Sequence, residues 1–175
     1  MDKLSGKNRW RVIDLLAERL AFARAGVKLY GTLLSRVRSE PRLQGLVGEL
    51  QRHRDEEQEH ERWLEAQIRA LGGDVHALTE HSVLAQAESE GVERVIRRDA
   101  SIPHDFHALL AAELADHAGW DLLVQIADEF DDAEAKEQFS RRLREEEQHL
   151  LFVRKTLLEL TRDEVSEAPP LPPAE

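Results

Sequence analysis

The chain has 175 residues, a formal net charge of −11 and no cysteine. That length suits one domain with an ordinary core. The missing cysteine excludes disulfides, iron–sulfur clusters and thiol catalysis, and an acidic chain without a basic block argues against nucleic acid and anionic membranes as partners. Charged residues make up 34% and aromatics 5%, a Leu/Ala/Glu/Arg texture that favours helices over strands. No leader-like apolar region and no stretch of membrane-spanning length is present, so a cytoplasmic protein is expected.

The first helical pattern runs from about Lys7 to Arg38. Ile13, Leu16, Leu20, Ala23, Val27, Tyr30, Leu34 and Val37 recur at a/d spacing. Ser39-Glu40-Pro41 breaks it. A second pattern follows to about Leu71, with the seam Leu46, Leu50, His53, Glu57, His60, Leu64, Gln67 and Leu71, and Gly72-Gly73 ends it. Residues 72–103 have weaker periodicity, with room for a short helix over Val83–Arg98. Pro103 and Asp105 open a third helix to about Phe130, with the seam Phe106, Leu110, Glu113, His117, Trp120, Val124 and Ala127. After Asp131-Asp132 a fourth runs from about Ala133 to Leu160, through Phe139, Arg142, Glu146, His149, Val153, Thr156 and Leu160. Residues 163–175, with four prolines, are expected to be a disordered or extended tail. The domain is thus residues 1–162: an all-α bundle of two antiparallel helix pairs joined by a long crossover over about 72–103, the ferritin-like arrangement.

Two Glu-x-x-His pairs stand in this frame, Glu57/His60 and Glu146/His149. Residues three apart share a helix face, so each pair can offer a carboxylate and an imidazole to one metal. With Glu113 they occupy seam positions at mid-height in three helices, where a purely structural bundle has Leu or Ala. Buried carboxylates and imidazoles are costly unless paired or metal-bound. Di-iron and di-manganese bundles use a Glu from each of two helices and a Glu-x-x-His from each of the other two. The two halves also repeat: Glu113 precedes Glu146 by 33 residues, and 34 before Glu57 stands Ala23, where a fourth carboxylate is expected.

The stretches LAERLAFARAGVKLYGTLL, ELADHAGWDLLVQIA and REEEQHL resemble the ferritin-like superfamily, and within it small bacterial ferritin-like domain proteins related to rubrerythrin. The resemblance covers about residues 10–160. It implies that Glu57 and Glu146 bridge two metals, iron or manganese. His60 is then terminal on one metal, and His149 with Glu113 on the other. It departs at Ala23, where that group usually has Glu. The implied activity is that of a non-haem di-metal oxidoreductase acting on ferrous iron, oxygen or peroxide. Without a cysteine-held iron centre, electrons would come from ferrous iron or an external reductase. The alternative is a structural or metal-buffering module with an incomplete site.

Several other residues bear on the site. Glu18 is the nearest first-helix acid to the missing ligand, but it lies about 140° around the helix from position 23. His53 either compensates for the missing ligand or is a hydrogen-bonded histidine at the edge. His117 is expected to orient Glu113. Tyr30 and Trp120 fill core, Tyr30 with a hydroxyl available to the site. His76, His81, His104 and His107 are expected to be solvated. Leu15, Phe22 and Leu29 form a second apolar stripe on the first helix and predict a homodimer.

Overall fold

A computed structural model describes residues 1–98 and 101–167. They form α1 (Asp2–Val37), a 3-10 turn (Pro41–Leu46), α2 (Val47–Ala70), α3 (Glu80–Arg98), α4 (Ile102–Glu129) and α5 (Ala133–Glu167). No strand occurs among the described residues, and no helix there is long and apolar enough to cross a membrane. The fold is all-α.

Local chemistry sets the helix ends. α1 is interrupted at Asn8, whose backbone leaves the helical region while its Oδ1 accepts the Arg11 N–H at 3.1 Å. Asn8 thus caps the long part of the helix, near the predicted start. The short piece before it docks on the α4–α5 turn, where the Leu4 N–H donates to Asp132 Oδ2. α2 ends in a Schellman turn: Gly72 takes φ +79° and the Gly73 N–H reaches the Ile68 carbonyl at 2.8 Å. Asp131 (φ 54°) ends α4 in the same way, and Asp132 then caps α5 through the Ala135 N–H. α5 continues to Glu167, so it includes residues 163–167 of the expected tail; the rest of that tail lies outside the described residues.

Cross-helix pairs fix the directions. Arg24 meets Glu61 and Glu65, while Arg38 meets Gln51, so α1 and α2 are antiparallel. Arg19 with Asp116 and Arg36 with Asp105 make α1 antiparallel to α4. Lys136 with Asp128 and His149 with Glu113 do the same for α4 and α5, and His60–Glu145 with His149–Glu56 for α2 and α5. α2 and α4 therefore run in the same direction.

The core has two apolar layers. One contains Leu16, Leu20, Ala23, Leu64, Ile68, Trp120 and Phe139. The other contains Tyr30, Leu33, Leu50, Phe106, Leu109 and Val153. On α2, α4 and α5 the residues between these layers are the polar ones of the seam. The α4 seam is rotated by one residue from the expected one: Leu109, Asp116 and Leu123 are buried, while Leu110, His117 and Val124 are only partly so. Both seams alternate three- and four-residue steps, which average close to the 3.6-residue turn, so both keep Phe106, Glu113, Trp120 and Ala127 inside.

α3 changes two expectations. It is a full helix beginning at Glu80, with Thr79 and Ser82 bonded reciprocally at its start, and it packs along α1 and α4. Leu15, Phe22 and Leu29 are accordingly buried within the chain and offer no exposed dimer stripe. His81 is not simply solvated, for its N–H donates to Asp14 Oδ1 at 2.9 Å and its Nδ1 lies 3.2 Å from Glu18. Glu18 thus docks α3 instead of approaching the seam.

Arg19 is the most demanding buried side chain. It is 2% exposed. Its guanidinium pairs with Asp116 at 2.7 Å and donates to the carbonyls of Ala115 and Asp116. It lies across Gly119, where any Cβ would fall on the guanidinium carbon. Gly119→Ala should expel Arg19 and leave buried Asp116, whose carboxyl is pushed by burial well above its ordinary range, without its hydrogen-bond partner, costing about 1–3 kcal/mol in denaturant unfolding. Adding Asp116→Asn should recover part of that. A loss below ~1 kcal/mol for the single variant would contradict this packing.

Candidate metal centre

The polar belt gathers the five residues expected from sequence. α2 contributes Glu57 and His60, α4 Glu113, and α5 Glu146 and His149; none is more than 3% exposed. Glu57, Glu113, Glu146 and His149 form one group with ligand-capable atoms all within 4.8 Å. His149 Nδ1 lies 3.4 Å from Glu57 Oε1, 3.6 Å from Glu113 Oε2 and 3.5 Å from Glu146 Oε2. About 3.4 Å is the ligand–ligand edge of a tetrahedron with metal–ligand bonds of about 2.1 Å, so His149 Nδ1 stands at coordination spacing from all three carboxylates. On the other side, His60 Nδ1 faces Glu146 Oε1 at 3.0 Å and Glu57 Oε2 at 3.9 Å. Glu57 and Glu146 thus each present one oxygen toward each imidazole.

The hydrogen-bonding of the inward atoms points the same way. Glu57 Oε2, Glu113 Oε2, both Glu146 oxygens and Nδ1 of both His60 and His149 are buried without a hydrogen-bond partner. Such atoms cost free energy unless something occupies the space between them. The outer nitrogens are satisfied. His60 Nε2 meets Glu145 Oε2 at 2.8 Å and His149 Nε2 meets Glu56 Oε2 at 3.0 Å. The support is reciprocal, because Glu56 and Glu145 each precede the inward Glu of their own helix and hold the histidine of the other. A carboxylate on the outer nitrogen fixes the tautomer and ring orientation of a ligating histidine. The seam spacing that turns Glu57 and Glu146 inward leaves Glu56 and Glu145 outside the seam. The visible signal was the doublet itself, Glu-Glu-x-x-His in both helices.

α1 contributes space and a hydroxyl. Gly26 lies against Glu57, where an added Cβ would come within 2.8 Å of the carboxyl carbon. Tyr30 donates to Glu113 Oε1 at 2.6 Å, holding that carboxylate with its second oxygen inward. Ala23 is buried in the apolar layer that includes Trp120, and the Trp120 ring packs edge-on to His60 at 5.7 Å. His53 is fully buried at the edge of the belt and bonded through Nδ1 to Glu56. His117 is half-buried and makes no hydrogen bond to Glu113; the buried α4 position near it is Asp116.

With these charges so close, the metal-free belt holds protons. Burial raises the Glu57 carboxyl to about 7, and the neighbouring Glu146 adds to the rise. Burial alone would lower His60, but Glu145 and Glu146 hold it up at about 10. Burial opposes ionisation of His149 too, yet Glu146, Glu113 and Glu56 raise it well above its ordinary value. Burial and the positive His149 lower His53 to about 4, leaving that ring neutral. Set against models of protein families, curated proteins and solved structures, the chain matches none of them.

Two outcomes follow from the geometry. A raised His60 pKa stabilises the metal-free fold fully below 6.5 and loses that contribution as pH rises towards about 10. Thermal melts of metal-free protein should therefore fall across that window, whereas metal affinity should rise as the imidazoles deprotonate. A flat melting profile would contradict the assigned protonation. The His149 side also has more donors than the His60 side. His149→Ala should cost more tightly bound metal than His60→Ala, measured by metal analysis after dialysis; equal losses would contradict the asymmetry.

Proposed function

We propose that the chain is a ferritin-like four-helix bundle carrying a carboxylate-bridged pair of iron or manganese ions, and that it acts as an oxidoreductase toward ferrous iron, oxygen or peroxide. In this reading α1, α2, α4 and α5 are the bundle. The parallel course of α2 and α4 makes the segment between them a crossover, with α3 folded into it. The observation that carries the proposal is the convergence of three buried carboxylates on the Nδ1 atoms of two imidazoles whose outer nitrogens are already held, with no hydrogen bond formed among the inward atoms.

Glu57 and Glu146 would bridge, His60 would serve one metal, and His149 with Glu113 the other. Glu56 and Glu145 keep both Nδ1 atoms inward, and Tyr30 fixes Glu113. Leu64, Trp120 and Phe139 on one side and Leu50 and Val153 on the other exclude water. The donor set of carboxylates with one imidazole per metal suits iron and manganese, which would supply one-electron redox chemistry there. Electrons beyond those of ferrous iron would come from an external reductase.

Ala23 favours a second reading, a metal-buffering module with one strong position. Ferrous iron added anaerobically should raise the melting temperature by binding only the folded state, and oxygen uptake should follow on admitting air. A raised melting temperature without oxygen uptake would leave the buffering module. Ala23→Glu separates the readings further. It should cost metal-free protein about 1–3 kcal/mol by burying an unpaired charge, and added iron should restore that loss. Unchanged stability would mean that position 23 does not face the site.

A further inference from the structure

The inner belt has no opening of its own, because its five side chains are all but inaccessible. A cation reaching it needs a route. On the His60 side, Arg141 pairs with Glu145, and the Arg142 guanidinium stacks 3.6 Å over Trp63. That side is closed by a cation that is itself buried and cannot swing into solvent. On the His149 side a groove of about 440 Å³ opens between α2 and α5, with Glu49, Arg52 and Phe152 in its wall.

Along α2, Glu49, His53 and Glu56 stand at i, i+4 and i+7 on one face, in line with Glu57 and His60 further in. Glu49 is half exposed. His53 lies beneath it, its Nε2 3.7 Å from Glu49 Oε2 and its Nδ1 3.2 Å from Glu56 Oε2. The His53 ring is 4.3 Å from the ring of His149. Ligand-capable atoms of His53, Glu56 and His149 lie within 4.8 Å of one another. The resident cation is Arg52, which donates to Glu49 at 2.6 Å and to Glu56 at 3.0 Å. Its guanidinium is half exposed on a long, flexible stem, so it can leave for solvent without breaking the core.

We propose that this row is the entry path of the metal: a divalent cation displaces Arg52, binds first between Glu49, His53 and Glu56, and passes from there to the inward side of His149. The proposal rests on the di-metal reading. Glu56 is the shared element, since one of its oxygens contacts both His53 and His149.

The test is anaerobic stopped-flow loading with cobalt(II), followed by its visible absorption, in the full-length protein at low ionic strength. Glu49→Gln should load at least about tenfold more slowly than wild type, the scale of local electrostatic steering, and His53→Ala should also load more slowly because it removes the neutral ring that would take the cation. Arg52→Ala should load faster. All three should reach the wild-type cobalt content. Glu49 is at the surface, so its variant keeps the test valid should His53→Ala fold poorly. Unchanged loading in Glu49→Gln overturns the entry path, and so does a lowered final content in that variant, which would make Glu49 a holding ligand. Wild-type protein that takes up no cobalt overturns the di-metal reading itself, and the entry path with it.

Discussion

The structure turns on two imidazoles held from outside. His60 and His149 each place Nε2 on a carboxylate of the opposite helix, which leaves Nδ1 pointing into a space shared with three buried glutamates. Two charge-assisted hydrogen bonds thus tie α2 to α5 and set the direction of the inner donors together. Apolar layers above and below also join the helices, and those layers keep water from the belt. Interior charge at this density is unfavourable for a fold that gains nothing from it. In metal-free protein the raised pKa values of Glu57, His60 and His149 partly neutralise the belt.

The first helix fits this arrangement by what it lacks. Gly26 makes room for Glu57, and Ala23 extends the small-residue surface towards Trp120 and His60. Arg19, one turn before Ala23, sends its cation across Gly119 to Asp116. α1 therefore supplies volume, a hydroxyl from Tyr30 and an ion pair at the border of the belt, while the other three helices supply the donors. The resulting site is better furnished around His149 than around His60.

Much of this was legible in the chain. Glu57, His60, Glu113, Glu146 and His149 were identifiable because polar residues at a/d positions conflict with burial, and two of the helices repeat the conflict at the same spacing. The long helices were legible from apolar periodicity and the turns from Gly72 and Asp131-Asp132. Other features depended on tertiary contacts that periodicity does not encode. Glu56 and Glu145 lie outside the seam that periodicity marks, yet a neighbouring helix brings a histidine to each. Leu15, Phe22 and Leu29 read as an interface because nothing in their own helix shows that α3 will cover them. Asp116 was missed in favour of His117, since a three-residue and a four-residue step from Glu113 both keep the 3.6-residue period and only packing chooses between them.

X-ray absorption of protein loaded anaerobically with ferrous iron tests the central claim most directly. A carboxylate-bridged pair predicts oxygen and nitrogen ligands together with an iron–iron vector of about 3.5–4 Å. Loss of the vector on replacing Glu146 by Ala would assign it to this belt. Iron bound without any metal–metal vector, or a vector that survives Glu146→Ala, would contradict the account.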